Sequence, residues 1–203
     1  MVNHFFALKF TRSGIVGGCQ WRETQGMRAL PELSKGHLYL LIAPPAVRRP
    51  LLNEFIARLA LRGVVQVLVC GNRFYTHEIA RRLRRRSEAY EAALGRIRLA
   101  RAFTCYQALA LLRSHRQTLL PTLVTDLPDL FCDETVPQAK RLKLFQDCLS
   151  ELKGLSRRAP TLVSASAAPY PLQGHFLDLL RAAAQTVWEV EQLSVPRFQL
   201  RLF

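Results

Sequence analysis

Residues 38–62 read Leu38-Tyr-Leu-Leu-Ile42, then Ala43-Pro-Pro-Ala-Val-Arg-Arg-Pro50, then Leu51-Leu-Asn-Glu-Phe-Ile-Ala-Arg-Leu-Ala-Leu-Arg62. The first run is continuously apolar and predicts a buried strand. From Pro50 onward, Leu52, Phe55, Ile56 and Leu59 recur at helical spacing and predict a helix over Pro50–Arg62. The eight residues between are read as the connecting loop.

Strand, short loop and helix is the setting of the phosphate-binding pattern G-x-x-x-x-G-K-[ST]. The spacing of that pattern fits residues 43–50, but the chemistry does not. Ala43 and Arg48 stand at the glycine positions, Arg49 at the lysine and Pro50 at the hydroxyl residue. A phosphate cradle is a concavity of successive backbone N–H groups. Pro44, Pro45 and Pro50 have none. Arg48 places a side chain where glycine lets the backbone approach a ligand. The loop therefore reads as a nucleotide site that has lost its grip, or as a plain strand–helix turn.

Beyond this stretch the chain alternates strands and helices. Val64–Val69, Arg96–Arg101, Thr122–Thr125 and Thr161–Ser164 read as further strands. Tyr75–Ala93, Thr104–His115, Val136–Arg158 and Phe176–Ala184 read as helices. Continuous apolar strands alternating with helices predict a mostly parallel sheet covered on both faces. Residues 1–35 hold several glycines and Pro31, so residues 1–23 are expected to be an irregular segment of a single domain spanning 1–203. Thr186–Glu191 and Arg197–Leu202 suggest a C-terminal β-hairpin.

Composition bounds the function. Of 203 residues, 49% are apolar, enough for a core of ordinary size. The net charge is +14, from 29 basic and 15 acidic residues. That points to an acidic partner, nucleic acid first. Five cysteines without a C-x-x-C spacing argue against a disulfide framework or a zinc site, and for a reducing, cytoplasmic setting. No apolar run has the length of a membrane span, and no signal peptide or membrane partner is expected. The five histidines lack metal-ligand spacing. Cys105 and Ser166 have no evident base nearby in sequence. No cofactor, no metal and no catalytic residue are expected.

Several segments together resemble the ATPase core of RecA-type recombinases and their paralogs. These are Thr24-Gln25-Gly26 with Leu30-Pro31-Glu32-Leu33, then Arg96–Gln107 (RIRLARAFTCYQ), then Thr122–Asp126 (TLVTD), which is similar to a Walker B strand. The helix through Gln138–Leu155, the strand Thr161–Ser164 and the closing segments Val187–Val190 and Arg197–Leu200 follow in order. The resemblance implies a RecA-like P-loop fold and covers about residues 24–203. It also implies that Arg48, Arg49 and Asp126 are remnants of a nucleotide site. The position of the family's catalytic glutamate falls on Gly71, and its nucleotide-sensing pair falls on Ala165-Ser166. Its second DNA-binding loop has only Ala167–Gly174 in its place. Hydrolysis of ATP is therefore not expected.

The functional signal is Arg81–Arg86 (RRLRRR). Residues 81–101 hold eight arginines and two glutamates. On one helix, Arg81, Arg82, Arg85 and Arg86 would cover adjacent surface and neutralise phosphates. Tyr75 and Tyr90 on the same segment would stack on bases. The expected function is a non-hydrolysing accessory factor in DNA repair or recombination that binds DNA through this patch. A RecA-like recombinase or ATPase is a further expected partner. Two alternatives stand beside it: an interaction subunit that docks on such an ATPase without nucleic acid, and an enzyme with a rebuilt nucleotide site.

Overall fold

A computed structural model describes residues 5–12, 15–22, 31–71, 74–167 and 171–193. The expected strands form, with ends shifted by one residue: β3 (Leu38–Ile42), β4 (Val65–Cys70), β5 (Ile97–Ala102), β6 (Thr122–Thr125) and β7 (Thr161–Ala165). With β8 (Thr186–Leu193) they make a six-stranded, all-parallel sheet in the order β8-β3-β7-β6-β4-β5. This is the α/β architecture expected of a nucleotide-binding-like fold.

The amino-terminal segment departs from expectation. Two stretches of it are strands: β1 (Phe5–Arg12) and β2 (Ile15–Arg22) pair antiparallel, and β1 continues the sheet beyond β8. The glycines that read as breakers, Gly17 and Gly18, lie inside β2 opposite Phe10 and Lys9. Pairing with a neighbouring strand overrides their low intrinsic preference. The second arm of the C-terminal hairpin, Arg197–Leu202, lies outside the described residues, as do Thr24–Leu30.

Helices cover both faces. On one face lie α1 (Pro45–Arg62), α2 (Thr76–Arg84) and α3 (Tyr90–Gly95). On the other lie α4 (Cys105–His115), a 3-10 turn at Leu127–Phe131, α5 (Gln138–Ser156) and α6 (Pro171–Ala183). Strand residues alternate between the two cores. Leu38, Leu40 and Ile42 face α4–α6, while Tyr39 and Leu41 face α1. Phe131, Phe145 and Phe176 interlock in the first core with ring centroids 4.8–5.7 Å apart. Trp188 stacks on Phe55 at 5.6 Å in the second. Aromatic pairs of this kind add about 0.5–1.5 kcal/mol beyond burial alone.

Two sequence readings of helices need correction. The helix expected from Pro50 begins at Pro45, so the eight-residue loop shrinks to Ala43 and Pro44. Pro45 fits a first helical position because its missing N–H has no helical partner there. Pro50 is then interior, and the Ala46 carbonyl lacks the N–H that would complete its helical bond. The single helix expected over Tyr75–Ala93 is two, α2 and α3. The Ser87 hydroxyl accepts from the Ala89 N–H at 3.2 Å, and the Arg86 and Ser87 N–H groups both turn back to the Leu83 carbonyl. Such local bonds compete with helix continuation.

Candidate functional site

In a parallel sheet the helices start at the carboxyl ends of the strands, and ligands bind there at points where neighbouring strands send their helices to opposite faces. One such point lies between β3, followed by α1, and β7, followed by α6. Another lies between β6 and β4. Arg48 from α1 and Asp126 at the end of β6 span this region. The Arg48 guanidinium lies 2.9 Å from the Asp126 carboxylate and donates a second bond to the Ala43 carbonyl at 3.3 Å. To do so it reaches across the end of β7, from a helix that follows a strand two places away, about 9–10 Å.

Both partners are buried, Arg48 at 1% exposure and Asp126 at 7%. Asp126 has φ 54° and ψ 31°, the left-handed region that aspartate tolerates better than most residues. Its backbone N–H is held by Ser164, 3.1 Å from the carbonyl. Asp126 stands at the cap position of the 3-10 turn, yet its side chain makes no capping bond there. A capping role is thereby displaced by the ion pair with Arg48.

The consequence is a closed crevice. The space left among Arg48, Arg49, Asn53, Tyr75, Thr125 and Asp126 is about 20 Å³. That holds one water molecule, whereas small-molecule sites occupy about 300–1,000 Å³. The three expected remnants, Arg48, Arg49 and Asp126, all line this crevice, and Arg48 is turned onto Asp126. The Arg49 guanidinium carbon lies 5.3 Å from the centre of the Tyr75 ring. Gly71, at the expected glutamate position, has φ +106°, a conformation that any side chain would strain.

Burial raises the thiols of all four cysteines whose side chains are described, Cys70, Cys105, Cys132 and Cys148, the last to about 12. Each is a thiol at neutral pH. Among the described residues no cluster of His, Cys, Asp or Glu is placed to hold a metal ion. No helix among them is long and apolar enough to cross a membrane. A larger groove of about 290 Å³ runs beside Leu33, Phe55 and Leu59 with Arg58 and Arg62, along the later turns of α1.

The arginine patch is divided by a residue the sequence reading missed. Glu54 of α1 is fully buried, and three arginines converge on it. Arg86 grips it with both terminal nitrogens at 2.7 and 2.8 Å, Arg58 bonds at 2.8 Å and Arg82 at 3.3 Å. Burial pushes the Glu54 carboxyl up, but Arg86 and Arg58 outweigh it and hold it below its ordinary value. Arg82 of α2 and Arg86 just after it therefore tie this segment to α1, although the Arg86 side chain stays 36% exposed. Arg81 and Arg85 remain exposed, as does Arg84, which lies over the Tyr90 ring at 4.9 Å. The sequence signal for this knot was a glutamate between Leu52 and Phe55 with Arg58 four residues on.

No protein-family model matches this chain, and no curated protein matches it.

Proposed function

We propose that this chain is a non-hydrolysing, RecA-like accessory protein of DNA repair or recombination that binds nucleic acid. The observation that carries the non-hydrolysing part is the Arg48–Asp126 pair, which leaves about 20 Å³ where a nucleotide would bind. A metal-bound triphosphate needs open space and free donors at that point. The RecA-like part rests on the resemblance of the sequence segments. It is supported by their placement: the 96–107 segment runs from β5 into α4, and the Thr122–Asp126 segment is β6 with its carboxyl end.

Nucleic-acid binding rests on the +14 net charge and on Arg81, Arg84 and Arg85, which face solvent. Such groups bind phosphates and release counterions. The test is anisotropy of labelled oligonucleotides over a salt series, beside calorimetry with ATP and Mg²⁺. The reading expects DNA affinity that falls steeply with salt and no nucleotide isotherm. Salt-independent or absent DNA binding sinks it, and so does ATP turnover.

The docking alternative is favoured by one observation. β5 is one of the two outer strands among the described residues, and Leu99 on it is 39% exposed. Unpaired edge strands are templates for another chain. Stable co-purification with an ATPase, with no DNA binding by either the chain or the complex, favours this second reading.

A further inference from the structure

The most exposed large apolar side chains among the described residues are Leu119, Phe103, Tyr75, Tyr106 and Leu99. The three aromatic ones gather at one end of the sheet. Tyr75 precedes α2, after β4. Phe103 directly follows β5, and Tyr106 is in the first turn of α4. The β4 and β5 ends are register partners, Cys70 against Ala102, and the Gly71 N–H donates to the Ala102 carbonyl at 2.8 Å. The rings thus follow neighbouring strand ends about 5 Å apart.

Single exposed aromatics are ordinary. These differ because cations accompany them. Arg49 lies over Tyr75 at 5.3 Å and Lys140 over Tyr106 at 5.1 Å. Arg101, one residue before the end of β5, is also exposed. The amino ends of α1, α2 and α4 add partial positive charge at the same rim. The backbone is held in place. The Thr104 hydroxyl accepts from the Gln107 N–H at 3.2 Å, and the Gln107 side chain accepts from the Phe103 N–H at 2.8 Å. This reciprocal cap fixes Phe103 and the first turn of α4 before any ligand arrives.

Acidic groups also reach this end: Asp126 lines the same crevice as Arg49 and Tyr75, Glu78 is in the first turn of α2, and Asp133 lies near Cys105 at the start of α4. Asp126 and Asp129 belong to the β6 end, and Asp133 and Glu134 to the connection into α5 beside Lys140. Against them stand Arg49, Arg101 and Lys140 beside the rings, with Arg81 on α2 and Arg85 just after it, about 8 and 14 Å from its start.

We infer that Tyr75, Phe103 and Tyr106 form a stacking platform for the unpaired bases of single-stranded nucleic acid. Arg49, Arg101 and Lys140 hold the phosphates beside it. This rests on the nucleic-acid reading above and adds the surface and the strand form. A ring can stack only on a base whose face is free, so the platform selects unpaired strands over duplex. Ring stacking also tolerates any base, which gives binding without sequence preference.

The test compares labelled oligothymidine with a duplex of equal length, using Tyr75→Ala, Phe103→Ala and Tyr106→Ala in the full chain. Each ring is exposed, so the variants should melt as the wild type does. Each should weaken single-strand binding roughly tenfold while leaving the salt slope and duplex affinity unchanged. Tyr106→Phe should retain wild-type binding. If all three alanine variants bind the single strand within about twofold of the wild type, the platform is wrong while the nucleic-acid reading stands. If the wild type binds neither strand form at low salt, both fall.

Discussion

Arg48 and Asp126, both buried, form an ion pair at 2.9 Å across the carboxyl end of the sheet, joining the first turns of α1 to the end of β6. Breaking a buried pair leaves one charge uncompensated, whereas replacing both members with apolar groups is often tolerated. Arg48→Ala should therefore lower unfolding stability by about 3–5 kcal/mol. The double change Arg48→Leu, Asp126→Ala should recover most of that loss. Urea denaturation with unchanged slope measures both. A single-variant loss under about 1 kcal/mol would show that the pair does not hold the crevice shut.

The same geometry predicts that ATP with Mg²⁺ gives no calorimetric isotherm even at millimolar nucleotide. A micromolar dissociation constant that disappears in Asp126→Ala would mean that Arg48 swings out and the crevice opens.

Glu54 predicts a pH dependence of stability. Its carboxyl is held below the ordinary value of 4.5 because Arg86 and Arg58 outweigh its burial. A depressed carboxylate contributes stability that is complete above the unfolded value and lost as pH falls through the folded value. Glu54→Gln should cost about 2–3 kcal/mol at neutral pH, below the range for fully buried pairs because the Arg82 and Arg86 side chains are 26% and 36% exposed. The gap between wild type and variant should close as pH drops below about 4.5. A gap that stays constant to pH 3 would contradict the assignment.

The arginine run separates by role. Substituting Arg81, Arg84 and Arg85 with Gln should leave the melting temperature within about 0.5 kcal/mol of wild type in equivalent stability. The salt slope of nucleic-acid binding should fall by about one unit per lost contact. Substituting Arg82 and Arg86 should instead lower stability by leaving the buried Glu54 carboxylate with Arg58 alone. An unchanged melt for the second pair would show that α2 does not depend on the knot.

Residues 38–62 alone were enough to place a strand before a helix and to show that glycine, lysine and hydroxyl were missing from the loop. The apolar runs at Val64–Val69, Thr122–Thr125 and Thr161–Ser164 likewise located buried strands, because a strand covered on both faces must be apolar throughout. Local pattern carried no information on the pairing of β1 with β2, where Gly17 and Gly18 of β2 stand opposite Phe10 and Lys9 of β1. The helix break near Ser87 depends on one hydroxyl choosing the Ala89 N–H, a competition that periodicity does not register.

The sequence by itself determined the parallel α/β class, the basic charge and the absence of phosphate-binding chemistry at Ala43–Pro50. These follow from residue type and spacing along the chain. Only the tertiary structure decided what the charges do. Arg48 meets Asp126 from a point 78 positions earlier in the chain, and Arg82 and Arg86 meet Glu54 from α2 and the turn after it. In sequence Arg82 and Arg86 look like Arg81 and Arg85, but the first two pair with a buried carboxylate while Arg81 and Arg85 face water. A side chain's partner is set by which elements the sheet order brings together, and that order is a property of the folded chain.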